Sequence, residues 1–85
     1  MSDKSVRKNS ARTLGFGGML RALRSREGLT QQQLADKLEV TNTSVSLYEH
    51  GKRLPGRKTL TKLYDALNLS TDEFMLMLQV TEKYG

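Results

Sequence analysis

An all-α fold is predicted for this 85-residue chain by three features. Its aliphatic residues are 14 Leu against 4 Val and no Ile, and a chain so poor in β-branched side chains favours helix over strand. Apolar residues recur at helical spacing, and three apolar segments are each preceded by a Ser or Thr able to cap a helix. The length supplies one core and leaves nothing to fill a second, so one compact five-helix domain is expected.

The first helix is expected from about Phe16 to Glu27, where Phe16, Leu20 and Leu23 lie at i, i+4 and i+7 and Gly28 can take the left-handed conformation that ends a helix. The preceding Gly15-Phe16-Gly17-Gly18 lacks the spacing of a dinucleotide-binding loop and is expected to bend the N-terminal segment into this helix. The second helix, Gln31 to Leu38, opens on Leu29-Thr30-Gln31-Gln32-Gln33-Leu34, with Thr30 and Gln33 as a reciprocal capping box. A weaker version of the same signal at Thr41 and Ser44 opens the third helix, Asn42 to His50, and Gly51 closes it. Pro55 and Gly56 mark a loop before the fourth helix, Arg57 to Leu67, where Leu60, Leu63 and Leu67 share a face. Asn68 ends it, and a second capping box, Ser70 with Glu73, opens the fifth helix from Thr71 to about Val80.

Charge is unevenly distributed. Residues 1–13 hold Lys4, Arg7, Lys8 and Arg12 against Asp3, among polar residues too weakly apolar to fold alone. They are expected to form a disordered basic tail, with the folded domain spanning 14–85. Residues 14–50 balance, 51–62 carry Lys52, Arg53, Arg57, Lys58 and Lys62 without an acid, and the remainder is acidic through Asp65, Asp72, Glu73 and Glu82. A net charge of +5 favours an anionic partner, nucleic acid first. With no Cys and one His there is no thiol nucleophile, cysteine zinc site or histidine metal triad, so neither enzyme, metal nor cofactor is expected. The longest apolar run, Phe74 to Leu78, is far short of a membrane span, and the N-terminus lacks an apolar segment like a secretory signal. A cytoplasmic protein without membrane contact is expected.

The second and third helices are joined by Glu39 to Thr41 alone, and so short a link forces a sharp angle. Here the chain resembles the lambda-repressor and Cro type of helix-turn-helix domain, the XRE family. The resemblance is carried by Phe16-x3-Leu20-x2-Leu23-Arg24-x3-Gly28-Leu29-Thr30-Gln31-x2-Leu34-Ala35 and then Val40-x4-Val45-Ser46-x-Tyr48-Glu49-x-Gly51-x3-Pro55, within residues 14–80. It departs from the family at Glu39, where Gly is common in the turn, and at Val45 and Tyr48, where Ile and Trp or Leu are common. Glu39 would have to accept a conformation that Gly takes more freely.

On a helical wheel Asn42, Thr43, Ser46, Leu47 and His50 share one arc of the third helix, while Ser44, Val45 and Tyr48 lie opposite. An amide, hydroxyls and an aliphatic group suit base edges in a major groove. The resemblance implies Asn42, Thr43 and Leu47 as base readers, and Ser46 is a further candidate. It also implies phosphate contacts at Gln31 and along the loop after the third helix, at Lys52, Arg53, Arg57 and Lys58. His50, near the helix end, joins this phosphate set. A partly buried ion pair of Arg24 with Glu49 matches a charged pair of the family.

The function these features imply is a transcriptional regulator, in the simplest case a repressor, that binds a double-stranded DNA operator. A homodimer is expected through Met75 and Leu76, because Phe74, Met77 and Leu78 can face the core while those two point elsewhere. The competing reading is an antitoxin-like or protein-interaction helix-turn-helix module, with the basic N-terminal tail as the route to a protein partner. An acidic reading face would favour it, but the reading face here adjoins the basic stretch 51–62.

Overall fold

The computed structural model describes residues 4–82, with side chains for residues 15–81. Its order is α1 (Lys4–Arg26), α2 (Gln31–Leu38), α3 (Asn42–Glu49), α4 (Arg57–Ala66) and α5 (Thr71–Glu82), with no strand among the described residues.

The main correction to the sequence reading concerns α1, which starts at Lys4 rather than near Phe16. Residues 4–13, expected as part of a disordered tail, fall within the bounds of this helix, and the side chains of 4–14 lie outside the described residues. The glycine cluster does not interrupt the helix. A helical Gly costs about 1 kcal/mol against Ala, which a continuous helix containing Arg, Lys and Ala tolerates. Gly17 is buried for a different reason: a Cβ there would collide with the backbone carbonyl of Glu49 and lie 2.8 Å from the Tyr48 carbonyl oxygen. Backbone of α1 thus rests directly on the C-terminal end of α3.

Apolar residues from every helix meet in one core. Phe16, Leu20 and Leu23 of α1, Leu34, Ala35 and Leu38 of α2, Val45 and Tyr48 of α3, Leu60 and Leu63 of α4, and Met77 of α5 are all buried, joined by Leu67 and Leu69 of the α4–α5 link. Phe74 and Leu78 pack partly against this cluster, whereas Met75 and Leu76 are about half exposed, at 52% and 49%. Thr81 closes the end of α5 by donating its hydroxyl to the Met77 carbonyl at 3.1 Å.

The caps match the sequence signals. The Thr30 hydroxyl accepts from Gln33 N–H at 3.0 Å and the Gln33 side chain accepts from Thr30 N–H at 2.8 Å, and Ser70 with Glu73 repeats this at 3.1 and 2.9 Å. The first four helices end on left-handed residues: Gly28 (φ 70), Glu39 (φ 61), Gly51 (φ 72) and Asn68 (φ 51). After each, the next N–H reaches back five positions, Leu29 to Arg24, Val40 to Ala35, Lys52 to Leu47 and Leu69 to Tyr64, at 2.9 to 3.1 Å. This is the Schellman closure, which satisfies carbonyls otherwise orphaned at the helix end. Glu39 does adopt the conformation that Gly takes more freely, at a cost of about 1 kcal/mol. Its carboxylate accepts from Lys62 Nζ at 3.0 Å, tying the turn to α4.

A second tie was not visible in the sequence. Arg26, at the end of α1, donates to Glu73 Oε2 at 2.7 Å and to the Leu67 carbonyl at 2.8 Å, clamping α1 to the start of α5 and to the α4–α5 link. The Ser70 N–H and this guanidinium hold the Glu73 carboxyl below its usual range.

Candidate nucleic-acid interface

The angle between α2 and α3 is set by the three-residue turn and the apolar contacts of Leu34, Leu38 and Val45, all of them fully or almost fully buried. The Thr41 hydroxyl caps α3 by accepting from Ser44 N–H at 3.1 Å. With Val45 and Tyr48 turned into the core, Asn42 and Thr43 are exposed at the start of the helix and Ser46 and Leu47 are half-buried beside them. This outward surface carries one amide, two hydroxyls and one aliphatic side chain, and none is charged.

His50 is exposed beyond α3, and its Nδ1 donates to the Ser46 carbonyl at 2.8 Å, which leaves Nε2 for an external partner. Lys52, Arg53, Arg57 and Lys58 are exposed along the loop and the start of α4. Lys52 occupies a telling place. In the three other Schellman closures the residue that reaches back is apolar, Leu29, Val40 or Leu69, and packs on the core, whereas the closure of α3 ends in an exposed ammonium group. Arg53 returns across α3, donating from Nη1 to the Ser44 hydroxyl at 3.3 Å.

Behind this surface lies a carboxylate cluster. Glu49 has no exposed side-chain area, and its Oε2 accepts from Arg24 Nε at 2.6 Å while Oε1 accepts from Arg24 Nη2 at 3.1 Å. Arg24 Nη1 donates to the Leu29 carbonyl at 2.8 Å, so one guanidinium joins α1, the α1–α2 link and α3. Burial pushes the Glu49 carboxyl up, but the hydrogen bonds from Arg24 and Gln31 and the charges of Arg24 and Arg21 outweigh it and hold the group below its usual range. The bond to Glu49 also raises Arg24.

For Gln31 the structure adds a bond the sequence did not suggest. Its Nε2 donates to Glu49 Oε1 at 3.0 Å, so the side-chain amide is already engaged within the protein. One amide hydrogen remains uncommitted, and the Gln31 backbone N–H is one of those at a helix start that no intrahelical carbonyl satisfies. No charge or spacing signal reveals this contact, because residues 31 and 49 meet only when α2 and α3 cross.

Between α4 and α5, the Tyr64 and Phe74 rings meet edge to face with centroids 5.0 Å apart. They line an open groove of about 310 Å³ with Thr61, Asp65 and Thr71. Tyr64, 40% exposed, joins Met75 and Leu76 among the exposed large apolar residues of the described chain.

A sharp two-helix corner with an uncharged polar outer face and basic flanks defines a helix-turn-helix domain. Residues 20–74 match the helix-turn-helix family model, and the chain belongs to that family. Over 57 residues it is 46% identical to the SPbeta prophage-derived uncharacterized HTH-type transcriptional regulator YonR of Bacillus subtilis (strain 168), covering 67% of this chain and 53% of that protein. Over 70 residues it is 36% identical to the HTH-type transcriptional regulator ImmR of the same organism, covering 82% of this chain and 55% of that protein. The cryptic phage CTXphi transcriptional repressor RstR of Vibrio cholerae serotype O1 (strain ATCC 39315 / El Tor Inaba N16961) is 46% identical over 44 residues, 52% of this chain and 39% of its own length. The chain spans about half the length of the first two relatives.

Proposed function

We propose that the chain is a sequence-specific double-stranded DNA-binding unit of a transcriptional regulator, in the simplest case a repressor, with α3 in the major groove. The observation that carries this is the outward face of α3. Exposed Asn42 and Thr43, with Ser46 and Leu47 beside them, can form an amide pair with adenine, hydroxyl bonds to base edges and an apolar contact with a thymine methyl. Gln31, His50, Lys52, Arg53, Arg57 and Lys58 would contact phosphates on either side of the reading helix, fixing register without reading sequence. The similarity to YonR, ImmR and RstR, named as transcriptional regulators or repressor, supports the regulatory role.

The active form in this reading is a cytoplasmic, non-enzymatic homodimer joined through Met75 and Leu76, with Tyr64 extending the surface. Two copies of α3 would then lie about 34 to 36 Å apart, one turn of DNA. No helix among the described residues is long and apolar enough to cross a membrane. A protein partner reached through residues 1–13 gains no support, since the side chains of that segment lie outside the described residues. Selection of bound sites from random duplex DNA tests the proposal. Enrichment of a symmetric motif with half-sites about one helical turn apart is the expected result, and no enrichment over the input pool refutes it.

A further inference from the structure

Arg21 stands on α1 one turn before Arg24, and its Nε lies 3.6 Å from Glu49 Oε1, close enough for an ion pair but too far for a hydrogen bond. The carboxylate does not need it. Arg24 already neutralises Glu49 with two hydrogen bonds, its side chain only 16% exposed, and Gln31 donates a third. The Arg21 side chain is 55% exposed and makes no hydrogen bond among the described residues. Two guanidinium groups therefore surround one carboxylate, the inner one consumed by it and the outer one surplus, beside the amide of Gln31. Because Nε is the atom nearest Glu49, the terminal nitrogens of Arg21 lie farther from the carboxylate, and these are the groups that can take a phosphodiester in a forked pair.

We propose that Arg21 is a further phosphate-contacting residue, supplied by α1 from outside the helix-turn-helix, which binds the same backbone phosphate as Gln31. Glu49 serves both groups: it holds the Gln31 amide and, by its charge, keeps the Arg21 side chain over that amide. The inference rests on the DNA-binding reading above and adds a residue that neither charge clustering nor the family resemblance singled out, since Arg21 lies in the electrically balanced stretch 14–50.

The test is a salt series of binding to a short random-sequence duplex, read by fluorescence anisotropy, for the wild type, Arg21→Gln and Arg21→Lys. With a slope of about −0.9 per phosphate contact, Arg21→Gln should flatten the plot of log affinity against log salt by about 0.9 per bound protomer. Relative to about 1 M salt, its binding at about 0.1 M should be weaker by about eightfold for each protomer bound. Arg21→Lys, which keeps the charge, should restore the slope. The thermal midpoint of Arg21→Gln should stay at the wild-type value, since an exposed ion pair contributes little. A salt-dependent wild type on which Arg21→Gln superimposes overturns the proposal and leaves DNA binding intact. Weakened binding that tracks a lowered midpoint overturns it too, by making Arg21 structural. A wild type with no salt-dependent affinity removes the DNA-binding reading itself, and this inference with it.

Discussion

Replacing Glu49 by Ala should be among the most damaging single changes in the domain. The substitution removes a fully buried carboxylate and with it the two Arg24 bonds at 2.6 and 3.1 Å and the Gln31 bond at 3.0 Å. What remains is a guanidinium only 16% exposed, held by the Leu29 carbonyl alone. Breaking a buried pair from one side costs about 3 to 5 kcal/mol because the surviving charge is uncompensated. Arg24 retains some access to water, which places the expected loss near the lower end, at about 3 kcal/mol. A domain of this size has a total stability of roughly 4 to 13 kcal/mol, so much of the folded state's margin would go. Urea titration at neutral pH, with the slope m unchanged between variants, measures the difference directly. The double variant Arg24→Ala with Glu49→Ala should be less destabilised than the two single losses added together, because each single change already destroys the same contact. Acid gives an independent reading. With the folded-state carboxyl held below the ordinary value of 4.5, the pair's stabilisation is complete above that pH and disappears as the pH falls through the lowered value. Glu49→Gln should flatten this acid limb of the stability curve. A Glu49→Ala midpoint within the 0 to about 1 kcal/mol typical of a solvated pair would refute the reasoning.

Three further outcomes are expected. Gly17→Ala should destabilise by about 1 to 3 kcal/mol through the clash with the Glu49 and Tyr48 backbone, whereas Gly18→Ala, which meets nothing within 4 Å, should be neutral or stabilising; equal denaturation midpoints for the two would contradict the close contact. Asn42→Ala should lose about 1 to 3 kcal/mol on a selected site and relax preference at one base pair per half-site, while Lys52→Ala should weaken selected and random DNA alike and flatten the salt slope by about one unit per protomer. Competition binding distinguishes them, and a uniform loss for Asn42→Ala would remove α3 as the reader. Leu76→Asp should weaken self-association in analytical sedimentation, and a wild type that stays monomeric at high concentration, with and without DNA, would exclude the proposed dimer.

What could be read in advance was local chemistry. Thr30 with Gln33 and Ser70 with Glu73 are pairs three residues apart whose bonds depend only on their own turn of helix, and both form as the spacing requires. The left-handed residues at Gly28, Gly51 and Asn68 fall under the same heading, while that at Glu39 was signalled by the family pattern. Arg24 and Glu49 are 25 positions apart, and their pairing came from the family pattern, not from spacing. The misreadings were non-local. Gly17 stands in a glycine-rich stretch that by itself suggests a bend, and the carbonyls that demand a glycine there belong to α3. Arg26 and Glu73, 47 positions apart, carry no mark of their bond, and Gln31 gives none of its attachment to Glu49. The start of α1 was misplaced for a different reason: residues 4–13 have helix-forming side chains but no apolar stripe, and it was the stripe that set the expected boundary.

The contact at Gly17 bears on how such a domain diversifies. Because peptide groups of α1 and α3 touch without an intervening side chain, the attitude of α3 is fixed by backbone geometry and by the buried Glu49, all on its inner side. The side chains in that seating, Glu49 with Val45 and Tyr48, are not those of positions 42, 43, 46 and 47. If α3 reads DNA as proposed, a lineage can exchange its outer residues and acquire a new target sequence while its scaffold stays unaltered. An engineer can do the same by grafting, so long as the glycine beneath the helix is kept.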